Sequence, residues 1–243
     1  MITYIKINGF KSFHNFEMEF APFTVIAGAN ASGKSNLFDA LTLLSRLAET
    51  DNLKRAFGEQ RGEFIELFTQ YGDDNYATEI EFVVEMLVNK NIKDAWGNDS
   101  KLKYTRLRYE ITIARISNLT GIQEVKVVKE NLFKINHQDD IWASNIIPNK
   151  SLEFWKPKVV TGKRGVPYLE TIIENGIPTT ILVPQDGSSG FKKSFPLSYA
   201  PRTVLSTIDT VEFPHVLAAK EEMKSWKFLQ LNPEDLRQAT SKN

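Results

Sequence analysis

Apolar and polar positions alternate from the start of the chain. Ile2, Tyr4, Ile5 and Ile7 keep a period close to two, which predicts a half-buried strand over 2–9. Phe16, Met18 and Phe20 repeat the alternation over 16–20, and KSFHN between the two segments supplies a turn. After Pro22 the pattern becomes an unbroken apolar run, FTVIA (23–27), which predicts a central strand covered on both faces. It changes again in SNLFDALTLLSRLAE (35–49). There Leu37, Leu41, Leu44 and Leu47, joined by Phe38, recur at the spacing of an amphipathic helix.

Between 51 and 75 no period holds, and EFIELFTQY carries only the pattern of a short helix. Residues 77–88, 101–116 and 122–136 are rich in β-branched and aromatic side chains. They predict long strands of an antiparallel sheet, separated by polar turns such as NKNIKDAWGNDS. Pro, Gly and Ser crowd residues 137–200, whose short apolar runs predict irregular hairpins and loops. FPHVLAAKEEMKSW (213–226) has helical spacing, KFLQL (227–231) reads as a strand, and a polar stretch follows. The expected class is α/β. A strand-loop-helix unit over 1–50 precedes an antiparallel β-rich subdomain over 76–200, and a helix and strand over 203–243 return to the first unit.

Composition narrows the picture mainly by exclusion. The chain has 243 residues, 42% of them hydrophobic, enough for a sizeable core. Thirty basic and 30 acidic residues balance, so bulk charge indicates no polyanionic partner. The absence of cysteine excludes disulfides, thiolate metal sites and thiol catalysis, and fits a reducing compartment. The first residues lack a charged-then-apolar leader, and no apolar stretch reaches the ~18 residues of a membrane span. The expectation is a soluble, cytoplasmic protein with no membrane partner.

One stretch carries chemistry. Gly28, Ala29, Asn30, Ala31, Ser32, Gly33, Lys34 and Ser35 fit the pattern G-x-x-x-x-G-K-[ST]. Such a loop wraps backbone amides around phosphate at the positive end of the helix that follows. The two glycines give backbone freedom and close approach. Lys34 would reach the β- and γ-phosphates as a point charge, and the Ser35 hydroxyl would ligate Mg²⁺. The expected cofactors are ATP and Mg²⁺. An apolar run before the loop and an amphipathic helix after it give the motif its required context.

Those residues also carry a family resemblance. GANASGKSNL, preceded by IKINGFKSFHNFEMEF, resembles the N-terminus of the RecF/SMC-like ATPases. These form part of the ABC-type class of P-loop ATPases, which includes many bacterial proteins of the AAA group and the OLD-type nucleases. Asn30 and Asn36 match positions of that family's loop. Lys11 and Ser12, within Gly9-Phe10-Lys11-Ser12-Phe13, resemble the segment placed near adenine and ribose. Ala31 replaces the commoner glycine and needs a conformation that alanine can adopt. The resemblance is closest over 1–45, returns over 203–237, and implies an ABC-type head.

Hydrolysis needs a second Mg²⁺ anchor and a water-orienting group. The family supplies both from four apolar residues followed by Asp-Glu, and this sequence has no such segment. ILVPQD (181–186) is interrupted by Pro184 and Gln185, and GSSG (187–190) lacks the surroundings of the family's signature motif. The resemblance therefore implies residues 1–243 as an incomplete head, the N-terminal half of a larger ATPase. A missing C-terminal half or partner subunit would complete it, and the complete protein would form a nucleotide-dependent homodimer with DNA as a candidate partner. DNA repair, DNA maintenance or phage defence would be its purpose. The alternative is a non-enzymatic split or degenerate half-domain that acts as an interaction module. Gln230, near the end of KFLQL, is the candidate for the family's metal-touching glutamine, and a strand-surface glutamine reads equally well. Lys103, Arg106, Arg108 and Arg115, interleaved with Tyr104 and Tyr109, read as either a nucleic-acid face or a solvated strand face.

Overall fold

The structure, a computed structural model, describes residues 1–117, 120–147, 151, 165–187 and 190–228. Strands β1 (Ile2–Asn8) and β2 (Phe16–Glu19) form the predicted hairpin-like pair, followed by helices α1 (Lys34–Glu49) and α2 (Leu53–Gly58). Strands β3 (Gln70–Gly72), β4 (Asn75–Tyr76), β5 (Glu79–Leu87), β6 (Asn91–Lys93), β7 (Asp99–Lys101), β8 (Arg106–Ser117) and β9 (Gln123–Lys134) come next. Helix α3 (Ile141–Ile146), strands β10 (Glu170–Glu174), β11 (Ile177–Pro184) and β12 (Lys192–Pro196), and helix α4 (Pro214–Lys224) complete the order.

The main sheet is antiparallel, in the order β2-β1-β5-β8-β9. Alternation explains its faces. Ile5 and Ile7 stand beside Val84 and Phe82, and Phe82 beside Ile111, so one face is continuously apolar. Helix α1 turns Leu37, Ala40, Leu43, Leu44 and Leu47 into the same core, where it packs on α4. The leucine stripe of α1 therefore finds its cover within this chain.

Two polar links hold elements to this sheet. Buried Arg106 forms a two-point ion pair with Asp140 at 3.0 and 3.1 Å, donates to Thr3 Oγ1 at 2.7 Å and lies over the Trp142 ring. Asp140 also accepts from the Ala143 amide, so the same carboxylate starts α3. Glu130 on β9 is fully buried and accepts from the amides of Val204 and Leu205 and from the Tyr109 hydroxyl. It ties the segment before α4 to the sheet.

Three expectations change. FTVIA is not a strand: residues 23–27 carry no ladder, and Phe23 and Val25 are 83% and 74% exposed. A strand covered on both faces needs neighbouring strands, and among the described residues none pairs with this segment, of which Ile26 packs against the core. Within 137–200, helix α3 forms where loops were expected, and the expected hairpins join into one three-stranded sheet, β10-β11-β12. Cross-strand pairs such as Ile181–Phe195 give that sheet its apolar face. The basic strand face does not form, since Arg106 is buried and paired, Arg108 bonds Glu85 and Glu110, and Tyr109 is buried. A solvated face does not form either, because Arg106 and Tyr109 are buried and Arg108 and Arg115 are half-buried. The three long strands and the late helix lie within a few residues of their expected bounds. Residues 227–228 have no regular structure, and the rest of KFLQL, with Gln230, lies outside the described residues. No helix among the described residues is long and apolar enough to cross a membrane.

Candidate nucleotide site

The site starts with a turn that only glycine fits. Gly9 follows β1 with φ +78, and a Cβ there would stand 2.1 Å from the Glu79 carbonyl oxygen. The turn Gly9–Phe13 closes by the Gly9 amide on the Phe13 oxygen and is pinned by the Lys11 amide on the Leu67 oxygen. This places Lys11 and Ser12 beside the start of α1. Gly33, the residue before the helix, has φ 88, and a Cβ there would sit 3.4 Å from Ser12 Oγ. Close approach and a left-handed backbone both select glycine at this position.

Residues 28–32 of the loop are exposed. The amides of Lys34, Ser35 and Asn36, the first of α1, meet no acceptor among the described residues. Such unsatisfied amides concentrate the positive end of the helix dipole. Lys34 folds back over the loop: Nζ donates to the carbonyl oxygens of Gly28 at 2.7 Å and Ala29 at 2.6 Å, and to Ser32 Oγ at 3.3 Å. All three ammonium protons are thus directed at the loop rim. Asn36 Nδ2 donates to Ser12 Oγ at 2.8 Å, joining the Gly9–Phe13 turn to the helix. The Ser35 side chain stays exposed.

Ala31 stands where the resembled family more often has glycine. Its φ is 64, in the left-handed region, where an L-residue with a Cβ is strained. Alanine adopts the conformation at a cost; glycine would adopt it freely.

A charged cluster unread in the sequence lies one turn into α1. Asp39 is buried, and its carboxylate takes Lys11 Nζ at 2.6 Å and the Arg61 guanidinium at 2.8 and 3.0 Å. Burial alone would raise its pKa, but the bonds from Arg61 and Lys11 outweigh that and hold the carboxyl below its ordinary value. Arg61 also reaches toward the Ser35 carbonyl. The cluster sets two cations beside the helix N-terminus. Asp39 lies at the edge of the buried arc of α1, one turn before Leu43 and away from the stripe of Leu37, Leu41, Leu44 and Leu47. Its partners are far away in the chain, and nothing local reveals them.

Among the described residues no group of three or more His, Asp or Glu is arranged to hold a metal ion. His215, one of three isolated histidines, is buried. Its ring stacks on Tyr168 at 4.1 Å, contacts Asp186 through Nδ1 and accepts the Tyr104 amide through Nε2. Both ring nitrogens are occupied in packing the core.

A mixed α/β fold with antiparallel sheets, in which a glycine-rich loop opens onto a bare helix N-terminus, defines the N-terminal lobe of a P-loop ATPase head. A family profile described as "AAA domain" matches residues 4–165, well over half of the chain, and the chain belongs to that family. This agrees with the RecF/SMC-like resemblance of its first residues. No curated protein matches. One solved structure, from work on "ATP-driven dimerization and DNA stimulated activation of SMC ATPases", shares 20% identity with a TM-score of 0.34. That match covers 52% of this chain and 68% of the other, and a likeness of that size fixes no detail of this fold.

Proposed function

We propose that the chain binds ATP with Mg²⁺ through residues 28–35 and forms the N-terminal half of an ABC-type ATPase head in the cytoplasm. One observation carries this reading: the bare amides of Lys34, Ser35 and Asn36 converge with the Lys34 ammonium at the mouth of one loop. Amides at a helix start and a point charge beside them are the donors a polyphosphate requires. The site residues fit the nucleotide. Lys34 would exchange its carbonyl partners for phosphate oxygens, while Asn30, Ala31 and Gly33 would line the cradle. Ser12 and Lys11 would border the nucleoside side. Ser35 offers a hydroxyl to Mg²⁺, which supplies charge neutralisation on the phosphates when bound.

Hydrolysis requires further groups. Asp39, the acid closest along α1 to Ser35, is fully engaged by Lys11 and Arg61 and is unsuited to orient water. We assign the missing acidic pair and signature motif to a C-terminal half or partner subunit. The unladdered segment 23–27 suits the docking of added strands, because open backbone hydrogen-bonding groups recruit a strand. The completed head would dimerise around nucleotide and serve DNA repair, DNA maintenance or phage defence, with DNA as a partner.

Thermal melts test the binding reading. Nucleotide at a hundredfold excess over Kd adds about 2.7 kcal/mol of stability. For a chain of this length that raises Tm by about 5–11 °C. Lys34→Ala should lose most of the shift. An unshifted melt together with blank equilibrium binding would reject the proposal.

A further inference from the structure

Away from the loop, a cavity of about 340 Å³ lies between the β11–β12 pair and the segment leading to α4. Ile181, Phe195, Leu197, Pro201 and Val204 give it apolar walls. Arg202 is the one charged residue that lines it, and its guanidinium has no hydrogen-bond or ion-pair partner among the described residues.

The walls are fixed. Thr203 Oγ1 donates to the Leu47 oxygen of α1 at 2.8 Å, and the Leu53 amide of α2 donates to the Pro201 oxygen at 2.8 Å. The Val204 and Leu205 amides are held by Glu130 at 2.7 and 2.8 Å, and Thr207 Oγ1 closes on the Val204 oxygen. On the opposite wall, Ile181 and Phe195 are cross-strand partners in a regular ladder. Helices α1 and α2 and strand β9 therefore anchor one wall and a regular ladder holds the other, so the hollow does not depend on a ligand to form. Its volume lies at the lower end of the range for small-molecule sites, about 300–1,000 Å³. Apolar walls with a single charged side chain are a usual composition of a site for an amphiphile.

We propose that this cavity binds a small amphiphilic monocarboxylate, its hydrocarbon body against Ile181, Phe195 and Val204 and its carboxylate on the Arg202 guanidinium. The guanidinium fork matches a carboxylate two-to-two, which selects an anion over a neutral head of the same size.

Calorimetric titration of the 243-residue chain with octanoate, and with octanamide as its uncharged counterpart, tests this. Octanoate should bind saturably, and octanamide at least tenfold more weakly. Arg202→Gln should weaken octanoate at least tenfold with an unchanged melting temperature, and Ala200→Trp, which fills the hollow from its lining, should abolish binding. If Ala200→Trp does not fold, the Arg202→Gln and octanamide comparisons decide alone. Absence of saturable octanoate binding, or equal affinity for octanoate and octanamide, would overturn the proposal.

Discussion

Replacing Ala31 with glycine should stabilise the chain, the reverse of what a glycine placed in a loop normally does. Ala31 sits at φ 64. An L-residue in that region costs roughly 1–2 kcal/mol because its Cβ crowds the following carbonyl. Glycine removes that strain but returns entropy to the unfolded chain, worth roughly 0.4–1 kcal/mol in the other direction. The balance is a gain of about 0.5–1 kcal/mol, or about 1–4 °C in Tm for a chain of this length. Ala29→Gly is the control, since Ala29 is two residues away in the same loop and lacks a positive φ. It carries only the entropic cost, so its Tm should fall slightly. Paired thermal and urea melts of the two variants measure the difference. If Ala31→Gly lowers stability as much as Ala29→Gly, Ala31 does not occupy the left-handed region and the loop geometry is wrong.

Further outcomes follow from other parts of the molecule. Burial pushes the Glu130 carboxyl up to about 7, above its ordinary value of 4.5, against the pull of the Leu205 and Val204 amides and the Tyr109 hydroxyl. Its contribution is therefore complete below about pH 4.5 and lost as pH rises through 7. Relative to Glu130→Gln, the native chain should lose about 3 kcal/mol between pH 4 and 8; a flat or rising difference in pH-dependent urea melts would contradict this. Residues 1–243 alone should turn over ATP negligibly, and Lys34-dependent turnover in a phosphate-release assay would reveal an overlooked water-orienting group. The exposed run around Phe23 and Val25 should drive self-association. Light scattering across a concentration series should show that Phe23→Lys reduces it, and a native chain that stays monomeric throughout would count against an open docking edge.

What could be read from the sequence follows the range of the forces involved. Period-two alternation is local, so β5, β8 and β9 were legible, as was α1 from its leucines. The phosphate-loop pattern was legible for the same reason: eight consecutive residues carry it. FTVIA misled because an apolar run reveals burial only when neighbours exist to bury it, and those neighbours are not among the described residues. Helix α3 is six residues long, too short to establish a period, and its real signal is one capping aspartate at position 140. Asp39, Lys11 and Arg61 were illegible as a group because their separations of 28 and 22 residues are bridged only by the fold. At Ala31 the departure from the commoner glycine was visible, but the left-handed backbone behind it was not, since handedness at one residue leaves no mark in the hydrophobic pattern.

The central claim is that residues 28–36 hold the nucleotide, and amide-resolved NMR during titration with MgADP tests it most directly. The account predicts the largest shifts at the amides of Asn30 to Asn36, saturating together, and their disappearance in Lys34→Ala. Shifts scattered over the sheets with the loop amides unmoved, or an unchanged spectrum at saturating MgADP, would contradict it.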